Sequence, residues 1–174
     1  MEYRLPHMIA RPLRILCVEE DPIQRKLMEA CMEVMGAHAL MVHRPLDAVW
    51  AFRREPVDIV FLDIDMHVAD GLSAFEAIRS TPVHGRTVPI LAVTENECRW
   101  TADDYRQAGF AGLFLKPIEP TRLRSAVEDV LKNWNPPGPR AVNTGAPRPA
   151  RHFGPAKHSY QALIIAVVIE IGRE

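Results

Sequence analysis

The sequence predicts an α/β fold in which a parallel sheet of five strands is joined by crossover helices. Three observations predict it. From Arg14 onward, short apolar runs alternate with segments of helical period, the signature of strand-helix-strand units. The first, third and fourth runs are almost continuously apolar, as strands covered on both faces must be. Most of the runs then stop at acidic or polar residues, at the strand ends where an open parallel sheet holds its ligands.

The strands are expected at Ile15 to Val18, Ala39 to Val42, Ile59 to Leu62, Val88 to Val93 and Gly112 to Leu115. Pro22 marks the start of a first helix, whose apolar stripe Ile23, Leu27, Ala30, Cys31 and Val34 runs until Gly36 ends it. Leu46, Val49 and Trp50 indicate a second helix, and Leu72, Phe75 and Ile78 a third. Thr101 with Asp104 three residues later forms a capping box for a fourth, where Asp103 and Asp104 favour the positive end of the helix. Leu123, Val127, Val130, Leu131 and Trp134 stripe a fifth. Such stripes are core positions rather than cofactor contacts.

A chain of 174 residues with 48% hydrophobic residues can bury a core of ordinary size. Its net charge of -1 supplies no basic field for nucleic acid or an anionic membrane. Cys17, Cys31 and Cys98 lie far apart and are odd in number, which argues against a zinc site or a secreted disulfide framework and for a reducing cytoplasm. Residues 1–12 lack the apolar core of a signal peptide and are expected to be a short lead. The folded domain is expected over residues 13–134. Residues 135–158 hold six prolines and no acid, and are expected to be a linker. Residues 159–174 form an apolar tail of unassigned role, whose run ALIIAVVIEIG is about half the length of a membrane-spanning helix.

The chemistry lies at the strand ends. The first strand leads to Glu19, Glu20 and Asp21, the third to Asp63 and Asp65, the fourth to Thr94 and the fifth to Lys116 followed by Pro117. Two carboxylates about 4 Å apart repel by about 4 kcal/mol at an effective dielectric near 20, which invites a divalent cation. Mg²⁺ suits carboxylate, carbonyl and phosphate oxygens and takes few protein ligands. A lysine and a hydroxyl beside it point to phosphoryl transfer onto an Asp carboxylate, where positioning and charge neutralisation do most of the catalysis.

The stretches LRILCVEEDPIQR (13–25), DIVFLDIDMHVADG (58–71), VPILAVTEN (88–96) and AGLFLKPIEP (111–120) together resemble the receiver domain of bacterial two-component response regulators. The resemblance implies a flavodoxin-like (βα)5 doubly wound sheet. It implies Asp63 as phosphoacceptor and Glu20 at the usual metal-binding Asp, with Glu19 as its acidic neighbour. Asp65 would offer its backbone carbonyl to Mg²⁺, Thr94 would be the switch hydroxyl, and Lys116 would pair with the acceptor, before a Lys116-Pro117 bond that is often cis. The donor it implies is a phosphohistidine on a histidine kinase or a histidine phosphotransfer protein, with a downstream target protein that the sequence does not name. Such a domain catalyses only its own phosphorylation and dephosphorylation.

The chain departs from the family at Glu20, where Asp is usual, at His67, where Pro is usual, and at Glu95, where a small residue is usual. Leu113 stands where Tyr or Phe commonly follows the switch hydroxyl. These departures leave open a degenerate receiver that binds partners without being phosphorylated. Asp63-Ile64-Asp65 also resembles the nucleophile and general acid of haloacid-dehalogenase-type phosphatases, although that motif normally opens its fold and would leave Glu19 and Glu20 unexplained.

Overall fold

In a computed structural model of the chain, residues 11–66, 71–81, 84–95 and 100–136 are described. Residues 1–10 of the expected lead, most of the linker and the whole apolar tail lie outside the described residues, as do His67 and Cys98. The strands are β1 (Arg14–Val18), β2 (His38–Val42), β3 (Ile59–Asp63), β4 (Ile90–Thr94) and β5 (Gly112–Leu115). They form one parallel sheet in the order β2-β1-β3-β4-β5. The order reverses direction at β1, so the crevice beyond the carboxyl ends of β1 and β3 is the place where such a sheet binds ligands.

The helices are α1 (Pro22–Val34), α2 (Pro45–Arg54), α3 (Gly71–Arg79), α4 (His84–Thr87), α5 (Ala102–Gln107) and α6 (Pro120–Asn133). Helices cover both faces of the sheet, and alternate strand residues divide between two cores. Leu16, Val18, Val60, Leu62, Ile90 and Ala92 pack with Val49, Phe52, Phe75, Ile78, Tyr105 and Phe110. Ile15, Cys17, Ile59, Phe61, Leu91 and Val93 pack with Met28, Met32, Leu123, Val127 and Val130. Each β3 residue from Ile59 to Asp63 is buried, as the apolar run requires.

Several expectations hold to the residue. Helix α1 begins at Pro22, as expected, and Asp21, read in the sequence only as a strand-end acid, caps it by accepting from the backbone N–H groups of Ile23 and Gln24, both at 2.8 Å. Thr101 and Asp104 form the reciprocal capping box of α5. The Lys116-Pro117 bond is cis.

Other expectations need correction. Of the stripe assigned to the core of α1, only Cys31 is buried: Ile23 is 77% exposed, Leu27 42% and Val34 71%, and Met28 and Met32 take the inner positions beside Cys31. Both faces of this helix carry apolar residues at helical spacing, so periodicity does not choose between them. In the observed rotation Met28, Cys31 and Met32 join the core and Arg25 Nη1 donates to the carbonyls of Glu19 at 2.9 Å and Glu20 at 2.7 Å. Trp50 and Leu131 are likewise exposed, with Val49, Phe52 and Val130 taking the inner positions. β4 starts two residues later than the apolar run, after Pro89, which has no N–H to give a ladder. The short α4 before it carried no apolar pattern to announce it.

Candidate functional site

Four strands, β1, β3, β4 and β5, deliver the polar residues to one level. Beyond β1, Glu19 N donates to Val42 O at 3.0 Å and continues the ladder for one residue. Asp63 closes β3 opposite Val93, and Thr94 closes β4 opposite Leu115. Lys116 N then donates to Thr94 O at 2.9 Å, which brings the lysine to the same edge. The side chains turn inward: Glu19 is 1% exposed, Asp63 4% and Thr94 1%. Gly71 at the start of α3 lies directly beneath, since a Cβ there would come within 2.5 Å of Asp63 O and 2.6 Å of Ile64 Cα. Any larger residue would push the acceptor's backbone out of place.

Lys116 Nζ lies 2.9 Å from Glu19 Oε2 and 3.1 Å from Asp63 Oδ2. Burial works against the ammonium charge, but Glu19 and Asp63 together hold its pKa above the ordinary lysine range. Asp63 Oδ1 accepts from Asp65 N at 2.9 Å. Burial pushes the Asp63 carboxyl up to about 6; the Asp65 N–H pulls it down, the negative charge of Glu19 raises it and the positive charge of Lys116 lowers it. Asp63 is therefore an ionisable group under tension, at a place where further positive charge is favourable.

The structure places the remaining expected site residues as follows. Glu20 follows Glu19 at the half-buried rim of the pocket, its carbonyl held by Arg25. The third acid of the first loop, Asp21, belongs to the cap of α1. Thr94 Oγ1 donates to Asp65 Oδ2 at 2.5 Å, and Glu95 N donates to the same oxygen at 3.1 Å. Sequence reasoning gave Asp65 only its backbone carbonyl and missed this side-chain contact. It also missed Arg25, for which the available signal was a basic residue in the first turn of a helix, where acids are favoured. Leu113 is half-buried and packs against the core shared by Tyr105 and Phe110. The neighbouring Phe114 points to the opposite face, against Phe61, and does not supply the missing ring at position 113.

The donor set fits Mg²⁺. Glu19 Oε2 is buried and meets Lys116 Nζ at 2.9 Å as an ion pair, and a carboxylate oxygen with one cation contact keeps a lone pair for a second. Among the described residues no three His, Cys, Asp or Glu side chains converge as a cage. Mg²⁺ does not need one, because one or two carboxylates, a carbonyl and retained waters satisfy its octahedron.

This sheet order, with buried acids, a hydroxyl and a lysine at its carboxyl edge, defines a receiver-type α/β domain. The response regulator receiver domain family matches residues 15–128, and the chain belongs to that family. It is 33% identical over 120 residues to the sensor histidine kinase GacS of Pseudomonas protegens, a match covering 68% of this chain and 13% of the kinase. It is 31% identical over 113 residues to the histidine-protein kinase BarA of Shigella flexneri, covering 65% of this chain and 12% of that protein. Among solved structures, the receiver domain of a Pseudomonas aeruginosa sensor histidine kinase matches with a TM-score of 0.63 and 29% identity, over 70% of this chain and 98% of that one. That structure holds a magnesium ion in its active-site cleft. The match to receivers, with two strands preceding the strand of Asp63, removes the phosphatase reading.

Proposed function

We propose that this chain is a phosphoacceptor of a two-component phosphorelay, taking a phosphoryl group onto Asp63 from a phosphohistidine. The observation that carries this reading is the buried Asp63 carboxylate 3.1 Å from the Lys116 ammonium. An Asp63 oxygen forms a bond to phosphorus as the P–N bond of the donor breaks; the electron pair leaves on the imidazole nitrogen, which takes up one proton. Lys116 offsets the charge of the acceptor and then of the transferred oxygens, and Thr94 donates to one of those oxygens. Glu20, Asp63 and the backbone carbonyl of Asp65, with Glu19 behind them, would hold Mg²⁺, which when bound neutralises the anionic phosphoryl group. The reaction acts on the chain itself and turns over no separate substrate.

The partner that delivers the phosphoryl group is a histidine kinase or a histidine phosphotransfer protein. The exposed Ile23, Leu27 and Val34 line one side of α1, the helix that begins directly after the acidic loop, and give an apolar helical partner a landing face beside Asp63. The output is a changed surface on α5, β5 and α6 read by a target protein. The receiver unit spans residues 13–134, with 1–12 as a lead, 135–158 as a linker that is dispensable for its folding and 159–174 as an apolar tail of unassigned role. No helix among the described residues is long and apolar enough to cross a membrane. The buried free thiols of Cys17 and Cys31 accord with a cytoplasmic setting.

The test is incubation with Mg²⁺ and acetyl phosphate, read by intact mass. Gain of one phosphoryl group supports the reading. A folded protein that gains none, from acetyl phosphate or from several active kinases, is a degenerate receiver whose departures at Glu20 and Leu113 mark lost chemistry.

A further inference from the structure

We propose that Asp65 is a positioning residue that latches the switch hydroxyl in the unphosphorylated protein, an inference that rests on the phosphoacceptor reading of Asp63. Asp65 Oδ2 receives two donors from consecutive residues at the end of β4, the Thr94 hydroxyl at 2.5 Å and the Glu95 N–H at 3.1 Å. The first distance is that of a strong hydrogen bond from a hydroxyl to a carboxylate. The same residue gives its own N–H to Asp63 Oδ1 at 2.9 Å. Asp65 thus touches the acceptor with its backbone and the switch with its side chain.

A threonine hydroxyl has one proton to donate. Directed at Asp65, it is not directed at a phosphoryl oxygen, so the two arrangements exclude each other. Phosphorylation of Asp63 acts on this latch from both ends. It brings anionic oxygens that compete for the Thr94 proton, and it places a dianion near the Asp65 carboxylate, which the charge repels. When Thr94 leaves and the Asp65 carboxylate is pushed away, the Glu95 N–H loses Asp65 Oδ2, the acceptor that ties the end of β4 to the loop after β3. The latch biases the resting protein against the activated arrangement, and its strength sets how much of the phosphoryl binding free energy is spent on switching.

Beryllofluoride, a phosphoryl mimic, reads the effect through its apparent affinity in the presence of Mg²⁺, and the Glu95 amide resonance reads the resting latch without metal. Asp65→Ala should shift the Glu95 amide in the metal-free protein and tighten beryllofluoride binding roughly five- to tenfold, the scale of an ordinary coupling between sites. Asp65→Asn, which keeps a neutral acceptor, should give a smaller gain. In a Thr94→Val background the gain from Asp65→Ala should vanish, because the residue acts through the hydroxyl. An equal gain in both backgrounds would assign the effect to removal of negative charge and overturn the latch. So would an unmoved Glu95 amide, or beryllofluoride binding unchanged by Asp65→Ala. If wild type and variants alike bind no beryllofluoride and gain no phosphoryl mass, the phosphoacceptor reading falls, and the latch falls with it as a brake on activation.

Discussion

Lys116 Nζ stands 3.1 Å from Asp63 Oδ2, in a pocket where both side chains are almost fully enclosed. Neither residue is near the other in sequence, and neither position is explained by packing. The parallel register makes the meeting possible: Asp63 ends β3, and Lys116 follows β5 at the same level across the intervening β4. Glu19 reaches the same ammonium from the other side, so a single lysine offsets two buried acids.

That arrangement has a consequence for stability. The carboxyl of Asp63, raised from 3.8 to about 6 by burial, holds its proton in the native state at pH values where the unfolded chain has released it. Stability from this group therefore falls as pH rises from about 4 through about 6, reaching a cost of about 3 kcal/mol above that window. Asp63→Asn should be more stable than wild type at pH 7 in the presence of a chelator, with the advantage shrinking toward pH 4. Urea unfolding at the two pH values checks this; an equal difference at both would show that ionisation of Asp63 is not the cause.

The outward stripe of α1 predicts a separation between donors. Ile23→Asp removes apolar contact area and adds charge to the proposed landing face, without touching the acid pocket. Transfer from a phosphorylated histidine protein should fall at least about tenfold, the equivalent of about 1.4 kcal/mol. Labelling by acetyl phosphate should stay near wild type. Parallel measurement of the two rates decides, and an equal loss in both would place the effect in the pocket.

Leu113 predicts a muted output. A half-buried aliphatic side chain fills less of the space beside Thr94 than a ring that moves with it, so phosphorylation should shift the α5-β5-α6 surface weakly. Leu113→Tyr should enlarge the amide shifts that beryllofluoride causes around residues 100–125. An unchanged response would remove Leu113 from the account of signalling.

The strand ends were legible in the sequence because a buried run that stops at acid is a strong local signal, and Asp63, Thr94 and Lys116 all lie where the apolar runs predict. The division of labour among the first three acids was not. Glu19, Glu20 and Asp21 read alike, and only the turn of the chain into α1 sends Asp21 to the helix cap and Glu19 to Lys116. The face of α1 was misread for a related reason. Ile23, Leu27 and Val34 satisfy the helical period as well as Met28 and Met32 do, Cys31 fits either stripe, and in the observed rotation Arg25 reaches the carbonyls of Glu19 and Glu20. The side-chain contact of Asp65 with Thr94 joins two loops far apart in sequence, which no local pattern reveals.

The most direct measurement is the chemical identity of the labelled residue. Protein incubated with Mg²⁺ and acetyl phosphate is treated with borohydride, which reduces an aspartyl phosphate to homoserine, and the modified position is read by peptide sequencing in a mass spectrometer. Homoserine should appear at position 63, should be absent when Mg²⁺ is chelated or Asp63 is replaced by Asn, and should be strongly reduced in Glu20→Gln and Lys116→Ala. Homoserine at another acid, or none in folded wild-type protein, would contradict the assignment of Asp63 as the phosphoacceptor.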